Sequence, residues 1–205
     1  MIGFYNYTVI LTYLGFSSSI LGICFAMQGK LSLAMLCLMM SGFCDMFDGT
    51  VAKTRKRTRQ EKNFGIQIDS LADLVCFGVL PVVIGYNLGL NTQPYHYLIL
   101  VVFTLAALIR LAYFNVCEEE RQATTTEPRK YYEGLPVTCD ALILPALYSF
   151  RNYVPVDFTI LYGIALVAIA VAFVTKFKLV KLKMRGMLGL LLVGILVFIW
   201  FIKEF

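Results

Sequence analysis

Asp45 and Asp48 stand three residues apart, and Asp69 and Asp73 four apart, within otherwise largely apolar stretches. A helical repeat of 3.6 residues puts each pair on one face. Gly49 follows Asp45 by four positions, Ala52 follows Asp48 by four, and Gly65 precedes Asp69 by four. Each acidic face therefore carries small residues beside which a ligand can approach the backbone. Two such faces turned towards each other would gather four carboxylates around one cavity. Each ionised carboxylate costs about 2.5–3.5 kcal/mol at a bilayer centre, and like charges add repulsion, so the arrangement calls for cations. With no His or Cys cluster beside it, an all-carboxylate set favours Mg²⁺ or Mn²⁺ over zinc or copper. Two such ions would account for four ligands, and a pair of ions suits a diphosphate whose leaving group gathers charge. For a single Asp the ordinary alternative is a helix cap or a partner for a loop Lys or Arg. For the whole set the rival is an ion-coupled transporter, because intramembrane acids also mark ion pathways.

The elements that must carry these residues are membrane helices. The chain has 205 residues, 59% of them hydrophobic, and a mean hydropathy of +0.75. Apolar blocks at approximately 7–28, 31–53, 65–90, 95–116, 135–150, 156–175 and 185–202 each have about the length a spanning helix requires. The block at 135–150 is the shortest and contains Pro136, Asp140 and Pro145, which suits a broken or tilted helix. The expectation is an all-α integral membrane protein, one bundle over residues 1–205. "MIGFYNYTVILTYLGFSSSI" has no basic n-region and no clear cleavage site, and so reads as the approach and first helix.

The net charge of +5 does not point to nucleic acid. The basic residues gather in short segments between apolar blocks: Lys53 to Lys62, the loop with Arg121, Arg129 and Lys130, and Lys176 to Arg185. Seven spans put all three segments on the cytoplasmic side, the N-terminus inside and the C-terminus outside. Anionic headgroups explain such a distribution. Cys24, Cys37, Cys44, Cys76, Cys117 and Cys139 form no CxxC pair and lie mostly in apolar blocks, so neither zinc nor disulfides are expected. Gly186, Gly189 and Gly194 suggest close helix packing. Trp200 and Phe201 suggest an outer interface, His96 reads as an interfacial or structural residue, and Asp140 as an interior hydrogen-bonding or charge-pairing group.

Asp45-x2-Asp48-Gly49-x2-Ala52-Lys53, followed by Gly65-x3-Asp69-x3-Asp73, resembles the signature of the CDP-alcohol phosphatidyltransferase family. Lys53 stands where the family usually has Arg, keeping the charge without the planar fork. The stretch between Lys53 and Gly65 is longer than the family's usual spacing, as an extended loop would make it. Asp69-Ser70-Leu71-Ala72-Asp73 with Phe77-Gly78, Arg110-Leu111-Ala112-Tyr113-Phe114-Asn115, and Gly134-Leu135-Pro136 resemble the phosphatidylserine synthase branch of bacteria and archaea. Tyr113 takes the place of a second Arg. The resemblance covers roughly residues 40–140, with the signature at 45–73 and an acceptor and rim region at about 110–140.

The resemblance implies a six-helix core with one additional C-terminal helix, and an enzyme that joins the phosphatidyl group of CDP-diacylglycerol to L-serine and releases CMP. It implies that Asp45, Asp48, Asp69 and Asp73 hold two divalent ions, Mg²⁺ or Mn²⁺, and that Asp73 also acts as the base. Gly49, Ala52 and Gly65 become nucleotide contacts, since side chains there would obstruct a cytidine, and Lys53 a phosphate contact. Arg110 suits the serine carboxylate or a phosphate, with a structural ion pair as its alternative, and Asn115 the amino-acid end of the pocket. A prokaryotic cell membrane, a cytoplasm-facing site, contact with membrane phospholipids and a homodimer complete the expectation. Glycerol 3-phosphate or an inositol phosphate as acceptor is the nearest alternative within the same chemistry.

Overall fold

The computed structural model describes residues 3–124, 131–155, 157–180 and 184–203. A single 3₁₀ turn, Tyr7–Val9, leads into α1 (Ile10–Met27), which turns at Gln28–Lys30 into α2 (Leu31–Ala52). The third rod is continuous from Arg59 to Leu88: α3 (Arg59–Asp73), a π-helical stretch (Leu74–Val79) and α4 (Leu80–Leu88). Then come α5 (Pro94–Thr124), α6 (Asp140–Ser149), α7 (Phe158–Val174) and α8 (Met184–Lys203). Counting α3 to α4 as one, α8 is the seventh helical segment among the described residues.

Four of these segments are long and apolar enough to cross a membrane: Tyr7–Met27, Leu31–Ala52, Arg59–Leu88 and Pro94–Arg121. Their outward faces carry large apolar side chains, such as Leu14, Leu71 and Leu98, each more than half exposed. In water such a surface would be an aggregation hazard, and against lipid tails it costs nothing. The chain is a multi-pass membrane protein. The segments at Val137–Ser149 and Phe158–Val174 are shorter than the full spans expected for 135–150 and 156–175. In the first, helix forms only beyond Pro136, with Pro145 inside it; in the second, the backbone turns extended at Thr175.

The third rod starts six residues before the expected block. Thr58 accepts from the Glu61 N–H at 3.2 Å while the Glu61 carboxylate accepts from the Thr58 N–H at 2.8 Å, a reciprocal cap that starts the helix at Arg59. The extra residues of the signature spacing thus lengthen α3, and the connection proper is only Lys53–Thr58. Helix α5 likewise extends past 116, with Glu118 accepting two hydrogen bonds from Arg121 one turn later, at 3.1 and 2.6 Å.

One feature outside the helical expectation is a short antiparallel pairing of β1 (Tyr131–Glu133) with β2 (Lys178–Val180). It ties the segment before α6 to the segment after α7, on the end of the bundle where α5 finishes. At the N-terminus, Tyr7 Oη lies 3.0 Å from Thr54 Oγ1 and Asn6 Nδ2 donates to Glu61 at 3.4 Å. The N-terminal segment and the Lys53–Thr58 connection therefore share one end of the molecule.

The core holds large apolar side chains such as Leu38, Phe77, Phe103 and Tyr162, and helices cross closely where small residues meet. Helix α1 lies along α2, where Ser41 Oγ donates to the Gly15 carbonyl at 2.8 Å and Ser19 and Ser41 hydroxyls meet at 2.8 Å. A Cβ at Gly42 would fall 2.5 Å from Ala141 Cβ, so α6 crosses α2 at a bare backbone. Phe201 is buried at 2% exposure against Tyr148, which corrects its interfacial reading, whereas Trp200 stays near half exposed beside Phe150 and Tyr153. Cβ atoms at Gly189 and Gly194 would meet no described atom within 4 Å. His96 is buried and its Nδ1 accepts from the Gln93 N–H at 3.4 Å, capping the start of α5 as a structural residue.

Candidate active site

Helices α2 and α3 do what their acidic faces suggest. Asp45, Asp48 and Asp69 each offer a carboxylate oxygen, and these oxygens lie within 4.8 Å of one another. Asp73 joins them in a recess also lined by Leu11, Thr12 and Gly15 of α1 and by Ser41 and Cys44 of α2. Asp73 shares this recess with Asp45, and the Asp48 and Asp69 oxygens fall within the same 4.8 Å set. Four carboxyl groups gathered in one recess would repel strongly if all were ionised. A divalent ion relieves that repulsion, and the donor set fits one: the oxygens are hard, and their separation is about twice a typical metal–oxygen distance of about 2.0–2.6 Å. Asp45, Asp48 and Asp69 would hold it.

The support around the site comes from three other elements. Thr12 Oγ1 of α1 donates to Asp48 Oδ2 at 3.4 Å, a contact no spacing in the sequence announced, because it pairs residues 36 positions apart. Immediately after Asp73 the backbone becomes π-helical over Leu74–Val79. Pro81 has no N–H to offer the Phe77 carbonyl, and the bulge accommodates that defect. Thr104 Oγ1 of α5 donates to the Gly78 carbonyl at 3.2 Å, within the same irregular stretch.

Asn115 of α5 reaches α3 beside the acids: its Nδ2 lies 2.8 Å from Ser70 Oγ, and its Oδ1 lies 3.0 Å from the same hydroxyl. Ser70 follows Asp69 directly in α3, yet neither Ser70 nor Asn115 lines the acidic recess itself. Gly49 is exposed and a Cβ there would meet no described atom within 4 Å, leaving the backbone of α2 open beside Asp45 and Asp48. Ala52 is half-buried on the same helix, and Lys53 is exposed at its C-terminal end. Gly65 sits one turn ahead of Asp69, and among the described residues a Cβ there would meet Arg57 Nη1 at 3.1 Å.

Arg110 is placed differently from a free substrate ligand. It is buried at 6% exposure, Nε donates to the Leu135 carbonyl at 3.1 Å, and Nη2 donates to the Gly134 carbonyl at 3.3 Å. Gly134 has φ +76°, and a Cβ there would fall 2.8 Å from the Thr175 carbonyl, so the turn requires glycine. Arg110 therefore holds the rim segment before α6 against α5. Arg110→Met is expected to leave these two carbonyls short of donors and lower stability by about 1–3 kcal/mol, with Arg110→Lys intermediate. Thermal unfolding in detergent measures it; an unchanged midpoint in the Met variant would remove the anchoring role.

Asp140 opens α6 and is fully buried, and neither carboxylate oxygen has a described hydrogen-bond partner. The interior hydrogen bond expected of it is not formed among the described residues. Arg129, Lys130 and Lys181 lie outside the residues whose side chains are described.

Helical bundle, paired acidic faces and glycine-lined recess define a class, and the chain belongs to it: the CDP-alcohol phosphatidyltransferase family model matches residues 5–202. That match takes in α8 and is wider than the stretch carrying the motif resemblance. Among named proteins, the chain is 42% identical over 114 residues to a CDP-diacylglycerol–serine O-phosphatidyltransferase of Saccharomyces cerevisiae, covering 54% of this chain and 40% of that one. It is 28% identical over 144 residues to an archaetidylserine synthase of Methanothermobacter thermautotrophicus, 70% of this chain and 58% of the relative. With the CDP-diacylglycerol–serine O-phosphatidyltransferase of Mycobacterium leprae it shares 29% identity over 142 residues, 69% of this chain and 46% of the relative. The matched stretch thus spans about half the length of these relatives.

Proposed function

We propose that this protein transfers the phosphatidyl group of CDP-diacylglycerol to L-serine, forming phosphatidylserine and CMP. The observation that carries the reading is the convergence of Asp45, Asp48 and Asp69 from two helices, with Asp73 in the same recess and open glycine backbone beside them. The serine-transferring activities in the names of the relatives supply the acceptor.

In this reading Asp45, Asp48, Asp69 and Asp73 hold two divalent ions, Mg²⁺ or Mn²⁺, which when bound neutralise the diphosphate and favour departure of CMP. Gly49 and Ala52 give the cytidine an open surface, Gly65 contributes bare backbone beneath the Arg57 guanidinium, and Lys53 serves its phosphate. Asp73 takes the proton from the serine hydroxyl as the serine oxygen forms its bond to the lipid-bearing phosphorus and the bond from that phosphorus to CMP breaks. Asn115, beside Ser70, borders the space where the amino acid enters. Arg110 acts on that space by holding Gly134 and Leu135 in place. The recess opens towards the cytoplasm at the end shared by the N-terminal segment and the Lys53–Thr58 connection, whose basic residues attract anionic headgroups. The chain acts among phospholipids, and a homodimer is its assembly.

The test is CMP release by purified protein supplied with CDP-diacylglycerol and either L-serine, glycerol 3-phosphate, an inositol phosphate or no acceptor, each with Mg²⁺, Mn²⁺ or EDTA. Release is expected only with serine and a divalent ion, and EDTA should abolish it. Turnover with another acceptor alone would move the substrate assignment within the family. No turnover by folded, nucleotide-binding protein under any condition would refute the transferase reading.

A further inference from the structure

The connection between α2 and α3 is held by an interlocked set of contacts. Glu61 caps the Thr58 N–H, accepts from Asn6 and pairs with Arg55 at 3.5 Å; Tyr7 meets Thr54; Phe4 packs edge-on against Phe64 with ring centroids 5.6 Å apart. Arg57 lies in the middle of this set yet is outside it. Its Nη1 would be 3.1 Å from a Cβ at Gly65, so the guanidinium rests on bare α3 backbone. Among the described residues no carboxylate pairs with Arg57, although Glu61 lies close enough to pair with Arg55.

Gly65 precedes Asp69 by four residues, about 6 Å along the helix axis. Asp69 in turn contributes an oxygen to the three-carboxylate cluster. The Arg57 guanidinium at Gly65 and the carboxylate cluster that takes in Asp69 therefore both stand on α3, four residues apart. We propose that Arg57 is a diphosphate-binding residue: its planar fork takes the end of a nucleotide diphosphate whose other oxygens face the ion site. The inference rests on the transferase reading and names a substrate contact outside the signature. A guanidinium makes two parallel charge-assisted hydrogen bonds to a phosphate, which Lys cannot reproduce. A side chain at Gly65 would make the guanidinium shift, by a few tenths of an ångström for a methyl group.

The test is equilibrium binding of CDP and of CMP to detergent-solubilised protein with Mn²⁺, for wild type, Arg57→Gln, Arg57→Lys and the neighbouring Arg59→Gln. Arg57→Gln is expected to weaken CDP by about tenfold to a hundredfold. It should weaken CMP, which lacks the second phosphate, much less; Arg57→Lys should fall between, and Arg59→Gln should match wild type. Thermal midpoints of the variants should stay together, since the fixed contacts of this segment do not involve Arg57. Unchanged or tighter CDP binding in Arg57→Gln would overturn the proposal, leaving the guanidinium as a cover over Gly65. So would a loss confined to binding of nanodiscs containing an anionic lipid, which would assign Arg57 to the membrane surface. In either case wild-type nucleotide binding leaves the transferase reading standing, whereas a wild type that binds neither nucleotide would sink both.

Discussion

Asp73→Asn is expected to lower turnover by about a hundredfold to ten-thousandfold, the range associated with a positioned general base. The substitution keeps the size and shape of the side chain and removes its ability to take a proton from the acceptor hydroxyl. Asp73 stands at the end of α3, immediately before the π-helical stretch, and shares the recess with Asp45. The three oxygens drawn within 4.8 Å belong to Asp45, Asp48 and Asp69, so those residues should dominate ion affinity. A contrast follows: Asp69→Asn should weaken Mn²⁺ binding and turnover together, whereas Asp73→Asn should lose turnover while keeping most CDP and Mn²⁺ affinity. Binding isotherms beside CMP-release rates make the comparison. If Asp73→Asn turns over within a few fold of wild type, the base is another group.

Gly42→Ala should destabilise the protein by about 1–3 kcal/mol, the range of an overpacked core, and Gly42→Leu by more. A Cβ there falls 2.5 Å from Ala141 Cβ, and both partners sit on helix backbone that cannot swing aside. The helices must separate, and α2 carries Asp45 less than one turn further on. Activity should therefore fall with the melting midpoint. The reciprocal exchange supplies the control: adding Ala141→Gly to Gly42→Ala moves the methyl group to the other helix and should recover most of the loss. A double-mutant cycle on midpoints in detergent measures the coupling. Additive effects, with no recovery, would mean that the two helices do not meet at this point.

What the chain states locally, it states plainly. The three- and four-residue spacing of Asp45, Asp48, Gly65, Asp69 and Asp73 is a property of one helix at a time, so period alone puts each pair on one face. Long apolar blocks announce spans for the same reason, and the Thr58-x-x-Glu61 cap that starts α3 early was readable, though masked by the basic run around it. Contacts between helices carry no such period. Thr12 reaching Asp48, Arg110 committed to the Gly134 and Leu135 carbonyls, Phe201 buried on Tyr148 and the β1–β2 pairing all join distant residues. They depend on which faces the bundle turns inward and at what height the helices cross. Arg57 shows the division: its charge belongs to a basic segment visible in the sequence, but only the folding of Lys53–Thr58 back over α3 puts it on Gly65, one turn from the acidic cluster. Spacing along a helix chose the residues of the site, and the crossing of helices decided which other side chains reach them, because close packing admits a partner only where a neighbouring backbone leaves room.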